Sequence, residues 1–178
     1  MDHDTVAGAE ELIEAGRKIG VATTVGFETR CKMDATPFGD RRTNNPDQMG
    51  VSYVACHGVP HQNIGQAQQW LAPVRERRGQ RNAVMVDKIN RILQYTGIHL
   101  DYEADVLPLS QAAEGGSVTE RHILYALAFR ITASRGKGQA VVDFLTEELN
   151  LPVTGQISTL LQDPATPAYE YVLLGVLK

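Results

Sequence analysis

Apolar residues recur at near-helical spacing from the start of the chain: Val6, Ala9, Leu12, Ile13 and Ile19. Asp4 and Thr5 are good N-cap types ahead of them, acidic residues come early, Arg17 and Lys18 come late, and Gly20 follows as a stop. This predicts a helix over residues 5–19. The next run, residues 21–28, is β-branched and mostly apolar, as expected of a strand covered on both faces, and it ends at the acidic side chain of Glu28. Residues 34–50 hold Pro37, Gly39, Asn44, Asn45, Pro46, Asp47 and Gly50, a density of turn formers that predicts a long loop. Residues 51–56 give a second buried-strand signal that runs straight into His57 and Gly58.

From about Gln62 the pattern turns helical. Residues 62–78 are polar and Gln-rich, and Met85, Ile89, Ile92, Leu93 and Thr96 mark one face of a helix that ends near Gly97. Further helices fit residues 119–134 and 137–149. Pro152, Gly155, Pro164 and Pro167 leave room for a short helix over residues 155–162, before a final apolar segment at residues 169–177. The whole predicts an α/β core followed by a largely helical second half.

Composition narrows the possibilities. A chain of 178 residues, 43% hydrophobic and 21% charged, has enough mass to bury a core. Its formal charge of −4 and pI near 5.7 give no broad basic field, so nucleic acid and anionic membranes are not the expected partners. Cys31 and Cys56 form no CxxC pair and read as free thiols of a reducing compartment. No stretch approaches the roughly 20 apolar residues that span a bilayer. The N-terminus carries Asp2, His3 and Asp4 where a secretory signal would be basic and then apolar. A cytoplasmic protein is expected.

The chemistry that the pattern offers is metal ligation. Asp2-His3-Asp4-Thr5 places an imidazole and two carboxylates just before a predicted helix N-terminus. His3, Glu28 and His57 all fall at strand ends or their equivalents, where parallel α/β folds gather ligands, and carboxylate plus imidazole suits Zn, Mn or Fe. Taken singly, a histidine or glutamate at a strand end is more often a hydrogen-bonded structural residue than a ligand. Cys56 reads as a small buried side chain, and the arginines from Arg75 to Arg81 as the solvated face of a helix.

Read together, Asp2-His3-Asp4-Thr5-Val6-Ala7-Gly8 and Val25-Gly26-Phe27-Glu28 resemble the second and third metal motifs of the polymerase and histidinol phosphatase (PHP) phosphoesterases, a D-H-D-T-x-x-G segment and a G-x-E strand. The resemblance implies that His3 and Asp2 are metal ligands, that Glu28 bridges two metals, and that His57 is the ligand at the end of the following strand. Residues 78–149 resemble the helical insertion of PHP nucleotide phosphatases through Arg78, Arg81-Asn82, the Leu93–Gly97 helix end and Thr119-Glu120-Arg121-His122. That second match implies phosphate-contacting roles for Arg121 and His122, which stand adjacent here where relatives place a proline between them.

The fold so implied is a partial distorted β/α barrel with a largely helical insertion: a metal-binding core over residues 1–75, an insertion or cap over 76–150, and a return segment toward the core over 151–178. The implied activity is hydrolysis of small phosphorylated molecules, nucleotides among them, with divalent Mn, Zn or Fe polarising phosphoryl oxygens and supplying hydroxide. A complete site also needs a His-x-His strand and late histidine and aspartate ligands, which this sequence does not contain, so the chain reads as an internal portion of a longer enzyme or as one whose start site is placed too late. The competing expectation is a non-catalytic helical binding module that retains degenerate ligands.

Overall fold

The computed structural model describes residues 1–46 and 48–178; the predicted turn former Asp47 lies outside the described residues. The fold is mixed α/β, with a small open sheet and many helices. It divides into two compact units, Met1–Arg78 with Gln111–Ser117, and Gly79–Ser110 with Val118–Lys178.

In the first unit, β1 (Asp2–His3) pairs in parallel with β2 (Gly26–Lys32), which pairs antiparallel with β3 (Val51–His57), in the order β1-β2-β3. The first helix, α1 (Ala9–Ile19), begins four residues later than the sequence predicts and has Gly8 at its N-cap without a side-chain cap. The expected capping side chains are used elsewhere: Thr5 Oγ1 donates to the Gly115 carbonyl at 2.7 Å, and Asp4 is buried in a separate network.

The second strand is also displaced. Residues 21–25 are irregular, and Glu28 is the third residue of a strand that continues to Lys32, so it lies within β2 and not at its end. The chain leaves α1 through Gly20, in the left-handed region at φ 72°, and Val21 N–H returns to the Gly16 carbonyl at 2.9 Å. Thr23 then crosses directly over Gly16, where an added Cβ would meet its Cγ2 at 2.5 Å. The apolar run is spent on that crossing, and pairing starts where the backbone is free to meet β3.

Alternation sorts the sheet into two faces. Phe27 and Thr29, buried, share one face; with Val25, Phe27 joins Val6, Ala9, Ile13, Ile64 and Leu71 in a core beneath the sheet. Glu28, Arg30 and Lys32 take the other face, with His3, Tyr53, Ala55 and His57 beside them in register. β3 is not covered on both faces as predicted: Val54, Ala55, Cys56 and His57 are exposed. Both cysteines are free thiols.

The two helical stretches expected from Gln62 onward are one 29-residue helix, α2 (Ile64–Ile92), which carries Pro73 inside it. In the second unit, α3 (Glu120–Arg135) buries Ile123, Ala126, Leu127, Ala128 and Ile131. It is followed by α4 (Gln139–Asp143), a π-helical turn over Phe144–Glu148, α5 (Gly155–Gln162) and α6 (Tyr169–Leu177). The buried Tyr169 hydroxyl joins three of these segments, accepting from Gly138 N–H at 3.0 Å and donating to the Leu161 carbonyl at 2.6 Å. No described helix is long and apolar enough to cross a membrane.

Candidate functional site

The uncovered face of the sheet carries most of the predicted ligands. His3 and Glu28 are partners in register on the parallel pair β1–β2, so their side chains leave the sheet side by side. His3 Nδ1 lies 3.4 Å from Glu28 Oε1, with both side chains partly open to solvent, at 44% and 33% exposure. Beside them, the His3 and Tyr53 rings are 6.0 Å apart. Arg30 lies over the Tyr53 ring at 5.0 Å and donates from Nε to its hydroxyl at 2.9 Å. An imidazole, a carboxylate and a guanidinium thus share one open polar surface.

His57 and Asp2 stand apart from that pair. Glu28 is opposite Ala55, so His57, two residues on, is on the same face but diagonal to Glu28, a Cα separation of about 7–8 Å. Asp2 alternates with His3 and points to the opposite face, where it lines a cleft of about 250 Å³ with Thr5, Leu12, Val25 and others. Among the described residues no three His, Cys, Asp or Glu side chains come together as a metal group. What the described residues of this face bring together is one imidazole–carboxylate pair.

Directly beneath His3 is a set of residues that the sequence did not mark as a site. Asp4 is 1% exposed and adopts φ 57°. Its carboxylate accepts from Thr29 Oγ1 at 2.6 Å and from Arg78 Nε at 2.7 Å, and is ion-paired with Arg78 Nη2. Its carbonyl accepts from Arg75 Nη1 at 3.0 Å and its N–H donates to the Glu28 carbonyl at 2.8 Å. Burial holds the Arg75 guanidinium below its ordinary pKa, and the neighbouring Asp4 charge opposes that shift. Arg75 and Arg78 are thus not the solvated helix face expected of them. The R-x-x-R spacing was the available signal, because residues three apart share a helix face; the partner, more than seventy residues away, left none.

A second polar node holds the same segment. Gln68 Oε1 accepts from Val6 N–H at 3.1 Å and its Nε2 donates to the Gly115 carbonyl at 2.7 Å. Gly115 has φ +84°, and an added Cβ there would collide with the Gln68 amide. The positive φ is what favours glycine at this turn.

In the second unit, Arg121 is exposed in the first turn of α3. His122 is partly buried and closes a capping box, its Nδ1 accepting from Thr119 N–H at 2.9 Å. The predicted substrate contact at His122 has this structural use of Nδ1 beside it. Burial lowers the His122 pKa, and a ring nitrogen that accepts a hydrogen bond must be unprotonated. The unfolded chain, with a histidine pKa of about 6.5, therefore binds a proton before the folded chain does. The stability that His122 contributes is present above that value and is lost as pH falls through its lower folded value. Melting curves should show this loss on acidification toward pH 5. His122→Gln, which keeps a capping side chain at N3, should flatten that part of the profile, and an unchanged profile would show that His122 is not its source.

No protein-family model, curated protein or solved structure matches the chain.

Proposed function

We propose that this chain carries part of a metal-dependent phosphoesterase site of PHP type, built on the open face of the sheet. The observation that carries the reading is the His3–Glu28 pair, in register on adjacent parallel strands with ligating atoms 3.4 Å apart. Both residues are among those that the D-H-D-T-x-x-G and G-x-E resemblance nominates. Mn, Zn or Fe is the cation class that an imidazole and a carboxylate suit, and small phosphate esters, nucleotides among them, are the proposed substrates. In this reading the sheet is a portion of a distorted β/α barrel, with the helices as its insertion. Arg121 is a cationic group for the substrate phosphate, while His122 has only Nε2 to offer, since Nδ1 is engaged in the cap.

One observation favours a second reading, a non-catalytic helical binding module with degenerate ligands: no third ligand joins the pair among the described residues. The two are separated by assaying the purified chain with added Mn, Zn or Fe for phosphate release from a panel of nucleotides and sugar phosphates. The half-site predicts weak metal binding and turnover far below the range of about 1–1000 per second usual for enzymes. Turnover within that range, with two tightly held metals, would contradict a half-site. No metal binding would favour the binding module.

A further inference from the structure

We infer that Asp4 is a positioning residue: its buried clamp to β2 and α2 sets the orientation of His3 against Glu28. The functional meaning of this rests on the reading of that pair as ligands, but the geometry stands on its own.

β1 is two residues long, too short for its own ladder to fix a side chain. The His3 ring is nearly half exposed and lies against Glu28 and the Tyr53 ring. The residue that follows is held at every polar atom. The Asp4 N–H and carbonyl go to Glu28 and Arg75, and its carboxylate goes to Thr29 and Arg78. It also holds φ 57°, a left-handed conformation that a non-glycine residue keeps only where its surroundings enforce it, and one that aspartate tolerates better than most.

The peptide plane after His3 is thus tied to Glu28's own strand through Thr29 and the Glu28 carbonyl. Relaxing the clamp frees His3 to turn away from Glu28 while the core below, made of Val6, Val25, Phe27 and their neighbours, stays packed. A purely structural buried ion pair would behave differently: its removal would change stability and leave the His3 ring where it is.

The test uses the full chain and three variants: Asp4→Asn, Thr29→Val, and the double substitution Asp4→Gly with Arg78→Met. The double variant removes both buried charges together, so that neither is left uncompensated, and glycine keeps the left-handed conformation available without enforcing it. The first readout needs no metal: cross-relaxation between the His3 and Tyr53 ring protons by NMR, alongside the melting temperature. The second is broadening of the His3 ring and Glu28 amide resonances by Mn²⁺.

The clamp predicts that the double variant melts closer to the parent than Arg78→Met alone, loses the His3–Tyr53 cross-peak, and needs at least tenfold more Mn²⁺ for half-broadening. Thr29→Val, which keeps the ion pair, and Asp4→Asn, which keeps the Thr29 contact, should each weaken the cross-peak. Should the double variant not fold, Thr29→Val decides. A parental cross-peak in whichever folded variant decides would overturn the inference, whatever manganese does. Loss of the cross-peak with no Mn²⁺ broadening even in the parent would uphold the clamp and reject the ligand reading of His3 and Glu28.

Discussion

Replacing Arg78 alone by methionine is expected to destabilise the chain by about 3–5 kcal/mol, the usual cost of leaving one member of a buried ion pair uncompensated. The Asp4 side chain is 1% exposed and that of Arg78 10%, so water cannot replace the guanidinium. Thr29 would remain as a partner for Oδ1, but Oδ2 would lose its contacts with Arg78 Nε and Nη2. Adding Asp4→Asn should recover most of the loss, because the asparagine oxygen still accepts from Thr29 and no charge remains to be stranded. Urea unfolding followed by Trp70, the sole tryptophan and a residue of the same compact unit, measures this directly. The double-mutant cycle should give a coupling well above 1 kcal/mol. The Arg81–Glu120 pair is the internal comparison: at 36% and 52% exposure, its removal should cost no more than about 1 kcal/mol. Similar costs for the two pairs would mean that burial of Asp4 is not what makes its pair matter.

How much of this was legible in the sequence depended on whether the cause was local. The helix expected at residues 119–134 differs by one residue from α3 because its cap, Thr119, and its stop, Gly136, are neighbours of the pattern they bound. The short helix at residues 155–162 was found on the same grounds. β2 was misplaced because the apolar run 21–25 serves the crossing over Gly16, a contact with no signature in the run itself. Its true extent was still visible in the alternation of Phe27, Thr29 and Cys31 with Glu28, Arg30 and Lys32. At the site, the motif resemblance nominated His3 and Glu28, and they are side by side. It also nominated Asp2, which alternation alone sends to the other face once His3 faces Glu28. The local pattern offers Asp4 only as a helix cap or a carboxylate of the ligand segment, since its partners, Thr29, Arg75 and Arg78, come from elements that only the tertiary fold brings together.

The other large effect is expected at Glu28. In the proposed site, with His3 and Glu28 as its ligands, exchanging the carboxylate for an amide removes the anionic one, and Glu28→Gln should lower the affinity for Mn or Zn by at least the 10- to 100-fold typical of lesser changes around a metal. Asp2→Asn, on the opposite face, should change it little. The amide variant keeps its hydrogen-bonding shape on a partly open strand position, so stability should move by less than about 1 kcal/mol. The most direct measurement is calorimetric titration of Zn²⁺ into the parent chain, Glu28→Gln and His3→Gln, all at one pH. The account predicts a single weak site in the parent that both substitutions abolish. Tight binding of two ions to the parent, or a site that survives both substitutions, would contradict it.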